Sequence, residues 1–136
     1  MLAGNDPVLV HNCGDVQFGQ ARVGPNFSPD GAFKGRSVYD VADDLKAGRI
    51  EPDDVRINAF RHNGGLVTEN NRSLTALSLA GMKPTNINIV PATRKLTGRL
   101  REETPLGDVL PSNRIAITPS QSDWTIIDTV HIPGTG

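Results

Sequence analysis

The chain has little of what stabilises disulfide-rich, zinc-bound or membrane-spanning proteins. Its 136 residues include one cysteine, which excludes an intrachain disulfide and a cysteine-rich zinc site. No apolar run approaches the roughly 20 residues that a membrane-spanning helix needs. Aromatic residues make up only 4% of the chain, so its core must be mainly aliphatic.

The chain has no excess of positive charge either. It contains 14 Lys and Arg residues and 15 Asp and Glu residues, so its formal net charge is −1. Proteins that coat DNA by electrostatic attraction are normally basic, so this class is disfavoured. A local cluster of basic residues can still bind phosphate. The length and a hydrophobic fraction of 37% predict one globular domain.

The N-terminal segment contains an unusual string, in which Val8-Leu9-Val10 runs directly into His11-Asn12-Cys13. It resembles the C-terminal edge of a HINT (intein-like) domain, where an asparagine side chain attacks its own carbonyl and the following peptide bond breaks. The resemblance implies that His11 assists this junction cleavage, Asn12 cyclises and Cys13 heads the released segment. The string also resembles the junction before C-terminal toxin domains of bacterial polymorphic toxins, including Rhs-type proteins.

On this interpretation, residues 1–13 are the remnant of an upstream HINT or junction segment, and residues 14–136 are the toxin (effector) domain. The alternative is a short leader in which the string is accidental.

Hydrophobic periodicity predicts the first helix over residues 37–48. Its apolar residues Val38, Val41, Ala42 and Leu45 follow the spacing of one helix face. Ser37 is a suitable N-cap and Gly48 a suitable C-terminal residue.

A hairpin and a second helix are predicted next. Residues 55–61 alternate as a strand, residues 62–65 supply a tight turn, and residues 66–69 return as its partner. A second helix over 74–81, capped by Asn70 or Asn71, and a strand over 85–90 follow. The tail suggests a basic helix over 93–103 and strands over 114–118 and 124–132. This order predicts an α+β fold, with a small mixed sheet and packed helices.

The turn before the second helix has the composition of an anion site. Unpaired backbone N–H groups and the positive end of the helix dipole meet there. Arg72 can add a bidentate contact to phosphate, and Asn70, Asn71 and Ser73 can donate further hydrogen bonds. The alternative is that Asn70 and Asn71 only cap the helix, and that Arg72 is a surface residue.

Residues 36–90 resemble the ParB/sulfiredoxin superfamily in the order of their predicted elements and in one arginine, Arg72 of the turn. In that superfamily such a turn contacts nucleotide phosphates, which implies that Arg72 is the phosphate ligand with Asn71 beside it. Two positions depart from the superfamily's pattern, since Glu69 replaces a leading glycine and Asn71 replaces a histidine or glutamate. The turn lacks the sulfiredoxin cysteine, which argues against peroxiredoxin repair.

The candidate catalytic residues are Arg72, Asn71, Glu69 and His62, and the candidate phosphate ligands are Asn70, Arg72 and Ser73. His62 is either a general base or a solvated turn residue. Glu69 belongs to a set of acidic residues that could include Mg²⁺ ligands, although the metal remains open. Four further basic residues could join Arg72, or form a solvated face or a docking surface: Arg94, Lys95, Arg99 and Arg101. His131 and Trp124 are expected to be structural, Trp124 in the core.

These observations favour an antibacterial toxin, secreted as part of a larger protein, delivered into the target-cell cytoplasm and neutralised by a cognate immunity protein. The favoured activity is that of a nuclease. The alternatives are a transferase or kinase that uses ATP or CTP, and a non-enzymatic nucleic-acid-binding module.

Overall fold

Short strands alternate with helices along the chain. The computed structural model describes residues 16–29 and 33–134. The elements in chain order are β1 (Val16–Gln17), β2 (Arg22–Val23), α1 (Val38–Ala47), a 3-10 helix (Pro52–Asp54), β3 (Arg56–His62), β4 (Gly65–Thr68), α2 (Asn71–Leu79), β5 (Asn86–Ile89), α3 (Arg94–Arg99), β6 (Arg114–Ile117) and β7 (Asp128–His131). The predicted α+β class is confirmed.

The strands form two sheets that are linked through residues 16–23. The larger sheet has the order β1-β4-β3-β5, in which β4 pairs antiparallel with β3 and the other pairs are parallel. The smaller sheet has the order β2-β6-β7, with β2 parallel and β7 antiparallel to β6. Because β1 and β2 lie in different sheets, residues 16–23 link the two.

The hairpin has the turn that its sequence predicts. His62 pairs with Gly65, and the two residues between them have positive φ angles, 49° at Asn63 and 83° at Gly64. Asparagine and glycine tolerate this conformation, and such turns match the twist of the adjoining strands.

Helix α1 also follows its prediction closely. The Ser37 side chain accepts a hydrogen bond from the Asp40 N–H at 2.9 Å, and Gly48 ends the helix at a φ of 78°. The face that carries Val38, Val41 and Leu45 is buried.

Apolar side chains cover both faces of the larger sheet. On one face, α1 and α2 pack against Ile57 and Ala59, and Ile115 of the smaller sheet joins the same cluster. On the other face, Leu96 of α3 packs against Phe60 and Val67. This alternation along β3 follows from the two-residue period of a strand.

Three predicted bounds differ from the structure by three residues or more. Helix α2 begins at Asn71 instead of residue 74, and the Asn71 side chain is buried and accepts the Gly19 N–H. Helix α3 ends at Arg99 instead of residue 103. Strand β7 covers only Asp128–His131, since its partner β6 is itself four residues long and the preceding residues form a loop. Among the residues that the structure describes, no helix is long and apolar enough to span a membrane.

Asp44 allows a test of the packing around α1. It accepts hydrogen bonds from Arg49 and Arg36, and both guanidinium groups lower the pKa of its carboxyl. The stabilisation is therefore present above the pKa of the unfolded chain, and is lost as pH falls through the lower folded pKa. We expect Asp44→Asn to decrease the free energy of unfolding at neutral pH.

The free energies of unfolding of Asp44→Asn and the wild type should become more similar as pH falls. Urea unfolding over a pH series measures this difference. The neighbouring Asp43→Asn is the control, because Asp43 is exposed. A difference that did not change with pH would contradict the assigned ion pairs.

Candidate phosphate-binding site

The turn between β4 and α2 is held to β3 by the side chain of Asn70. Its Oδ1 accepts the Asn58 N–H at 2.9 Å, and its Nδ2 donates to the Arg56 carbonyl at 2.7 Å. Asn70 thus stands at the N-cap position without capping the helix with its side chain. The oxygen and one N–H of its amide are engaged in these bonds, so Asn70 positions the turn. The second N–H of Nδ2 is the one that could make the predicted contact with phosphate.

Asn71 points inward and joins the turn to Gly19, which lies between β1 and β2. It is 3% exposed, and its Oδ1 accepts the buried Gly19 N–H at 2.8 Å. Its Nδ2 donates to the Glu69 carbonyl at 3.4 Å. Ser73 is buried as well. Asn71 is therefore a positioning residue in this structure.

Arg72 is the exposed side chain of this first turn. Within residues 16–29 and 33–134 its guanidinium makes no hydrogen bond or ion pair. The backbone N–H groups of Asn71, Arg72 and Ser73 likewise have no acceptor in those ranges, as expected for the first turn of a helix. The side chain and the three N–H groups together form a donor-rich, positively charged surface.

Arg72 borders two grooves. The first, here called the arginine groove, has a volume of about 450 Å³. Its charged lining consists of Arg56, Arg72, Arg99, Asp54 and Glu69. Arg99 also donates to the Glu69 carbonyl at 3.4 Å, which holds α3 beside the turn. Three cations against two carboxylates leave an excess of positive charge next to the free N–H groups.

The second groove, here called the tryptophan groove, has a volume of about 760 Å³. Its lining includes Gln20, Arg22, Arg72, Thr118, Gln121, Trp124 and the carboxylates Glu102 and Glu103. The expectation that Trp124 lies in the core is wrong, because this side chain is 49% exposed. It lies in the loop before β7, where the guanidinium carbon of Arg22 is 4.4 Å from its ring centroid.

The structure separates one candidate catalytic residue, His62, from Arg72. His62 pairs with Gly65 at the tip of the hairpin, whereas Thr68, next to the turn, pairs with Ala59 at its other end. His62 therefore lines neither groove. His131, expected to be a satisfied structural residue, is exposed on β7.

The predicted basic cluster forms only in part. Arg99 shares the arginine groove with Arg72, but three residues line neither groove: Arg94, Lys95 and Arg101. Arg56, which the sequence interpretation did not single out, takes their place. Among the described residues, no three His, Cys, Asp or Glu side chains group closely enough to hold a metal ion. The junction residues His11, Asn12 and Cys13 lie outside the described residues.

Sequence reasoning missed Arg22, Arg56 and Trp124. A two-residue strand has no usable periodicity, so nothing in the sequence placed Arg22 near Trp124. For Trp124 a signal existed, because Pro119-Ser120-Gln121-Ser122-Asp123 immediately before it has the composition of an exposed loop.

Comparisons with models of known protein families, with curated proteins and with solved structures find no match for this chain. The resemblance to the ParB/sulfiredoxin superfamily stays a prediction.

Replacing Asn71 or Arg72 by alanine should change the free energy of unfolding to different extents. Asn71→Ala leaves the buried Gly19 N–H without its acceptor, which should decrease the free energy of unfolding by about 1–3 kcal/mol. Arg72→Ala should change it by less than about 0.5 kcal/mol, since the lost side chain is exposed and has no hydrogen-bond or ion-pair partner among the described residues. Urea unfolding of the two variants measures both effects. Equal destabilisation would contradict the division between a positioning and a ligand-binding residue.

Proposed function

We propose that residues 14–136 form an antibacterial toxin domain that acts on a phosphate group at the N-terminus of α2, as a nuclease that cleaves nucleic acid. One observation carries this proposal. Arg72 has no partner in the described residues, and stands beside three free N–H groups where the two grooves meet.

This arrangement suits a phosphodiester substrate. The planar guanidinium of Arg72 matches two phosphate oxygens, and the helix N-terminus favours the same negative charge. Arg56 and Arg99 line the same groove and increase its attraction for an anion. Donors that are already in place can stabilise the charge that grows on the phosphate oxygens in the transition state.

A general base would come from a carboxylate near this phosphate. Glu69 is the predicted catalytic carboxylate, and it lines the arginine groove with Arg72. Glu102 and Glu103 line the other groove, and Glu102 accepts the Ala21 N–H at 3.4 Å. In the proposed reaction Glu69 takes a proton from the attacking hydroxyl or water, and the oxygen of this nucleophile bonds to phosphorus. The P–O bond to the leaving oxygen breaks and solvent protonates that oxygen, while Arg72 binds the phosphate.

The biological role rests on the sequence before the domain. The resemblance of Val8–Cys13 to a HINT-type junction supports release of the domain from a larger secreted protein. Delivery into the cytoplasm of a target cell then brings the domain to its nucleic acid. A toxin of this kind needs a cognate immunity protein in the producing cell.

Arg72→Ala should abolish growth inhibition when the chain is expressed in bacteria, and should reduce cleavage of plasmid or total RNA by about 10²–10³-fold, as for other lost transition-state donors. Arg72→Lys should be intermediate, since lysine keeps the charge but loses the planar fork. Growth curves and electrophoresis of the isolated nucleic acids measure these effects.

The control for this test is Arg94→Ala, which removes an exposed arginine of α3 that lines neither groove. Full toxicity in a folded Arg72→Ala variant would contradict the assigned site. Intact nucleic acids together with transfer of label from ATP or CTP to a target would support the nucleotide-dependent transferase or kinase instead. Growth inhibition without turnover of either kind would support the non-enzymatic binding module.

A further inference from the structure

Trp124 is held in a fixed orientation at the surface. Arg22 donates to the Thr118 side chain at 2.7 Å, to the Ser120 carbonyl at 2.6 Å and to the Gln121 carbonyl. These bonds fix the guanidinium over the indole ring, 4.4 Å from its centroid. A guanidinium covers only one face of a ring, so Arg22 leaves the other face of Trp124 uncovered. The residue is 49% exposed and lines the tryptophan groove.

An exposed aromatic face of this kind is suited to stacking. Every nucleobase has a π-face, and proteins that bind single strands use aromatic side chains as stacking platforms. The contact with the Arg22 guanidinium favours this orientation of the indole. It therefore lowers the ordering cost of binding relative to a side chain without such a contact.

The tryptophan groove continues from Trp124 to Arg72. A Cβ atom placed on Gly24 would lie 3.7 Å from Nη2 of Arg72, so this guanidinium lies beside the segment that begins with Arg22. The volume of about 760 Å³ falls within the usual range of ligand sites, about 300–1,000 Å³.

The charges of the two grooves indicate which groove takes the phosphate of a bound nucleotide and which takes its base. The tryptophan groove has two carboxylates, Glu102 and Glu103, against two cations, Arg22 and Arg72, so it carries no excess of positive charge to attract phosphate. Carboxylates and the Gln121 amide can instead bond to the polar groups of a base or a sugar. The arginine groove, with its positive excess, is the place for phosphate.

We infer that the tryptophan groove binds an unpaired nucleobase stacked on Trp124, while Arg72 holds the phosphate of the same nucleotide unit. The inference rests on the proposed phosphate-directed function and narrows its substrate to single-stranded nucleic acid or a free nucleotide. A base inside a duplex is already stacked on both faces, so it cannot occupy this site unless it leaves the helix.

Trp124 is the only tryptophan of the chain, so its fluorescence reports stacking directly. The full chain is titrated with adenosine 5′-monophosphate, ribose 5-phosphate, inorganic phosphate, a short single-stranded oligonucleotide and the same strand in a duplex. We expect saturable quenching by the mononucleotide and the single strand, and none by the two probes without a base. Tighter binding of the oligonucleotide identifies a strand as the natural ligand, and equal binding identifies a free nucleotide.

Variants give a second readout, the anisotropy of a dye-labelled oligonucleotide. Trp124→Ala should weaken binding by roughly 5- to 150-fold, as for other stacked bases, and Trp124→Phe should weaken it much less. Ile126→Ala is the matched control, because Ile126 is 41% exposed in the same loop and lines neither groove. Unchanged affinity in Trp124→Ala, or equal quenching by ribose 5-phosphate, would overturn the inference.

The two proposals can fail separately. Cleavage that depends on Arg72 without quenching by a base would overturn the stacking site and leave the nuclease in place. Quenching that requires a base, in a chain that cleaves neither DNA nor RNA, would support the stacking site and contradict the nuclease.

Discussion

The hydrogen bond from the Gly19 N–H to Oδ1 of Asn71 is the contact on which the rest of the site depends. It is buried, 2.8 Å long, and joins residues 52 positions apart in the chain. Only glycine permits this approach, because a Cβ on Gly19 would lie 2.5 Å from Cγ1 of Val67 and 3.0 Å from the Thr68 carbonyl. The bond lies where the chain passes from β1 in the larger sheet to β2 in the smaller one. It therefore fixes both sheets against the first turn of α2.

The same bond separates the roles of neighbouring residues. Asn71 is turned inward by its bond to Gly19, and Asn70 is held by β3, so neither asparagine is available for the helix N–H groups. Arg72, between the buried Asn71 and Ser73, is left on the surface without a partner in the described residues. The side-chain amides of Asn70 and Asn71 thus hold the turn in place, and the exposed arginine provides the charge. This local arrangement explains how a chain with a net charge of −1 can present the anion site that we propose.

The parts of the fold that could be predicted are those with a clear period or a clear cap. Helix α1 is defined by Ser37, Gly48 and one apolar face, and the hairpin by Asn63-Gly64. The short strand that contains Arg22 could not be predicted, because two residues show no period and its partner β6 lies some ninety positions further on. Arg72 is exposed at the start of an apolar helix, as its place in the sequence indicates, and its role as a phosphate ligand stays a prediction. The bonds that Asn70 and Asn71 make to distant backbone groups could not be predicted, since an asparagine at the start of a helix usually caps it. Only the tertiary fold brings their partners close, which are the backbone of β3 for Asn70 and the Gly19 N–H for Asn71.

The central claim is that phosphate binds where Arg72 and the free N–H groups of α2 meet, on a turn that Asn71 holds rigid. An NMR titration of the ¹⁵N-labelled chain with inorganic phosphate tests this claim directly. It follows the N–H resonances of the backbone and of the arginine side chains. The account predicts saturable shifts at Asn71, Arg72 and Ser73 and at the Arg72 guanidinium, while the Gly19 N–H stays protected from hydrogen exchange. Saturable shifts confined to another part of the chain, or no shifts at the start of α2, would contradict it.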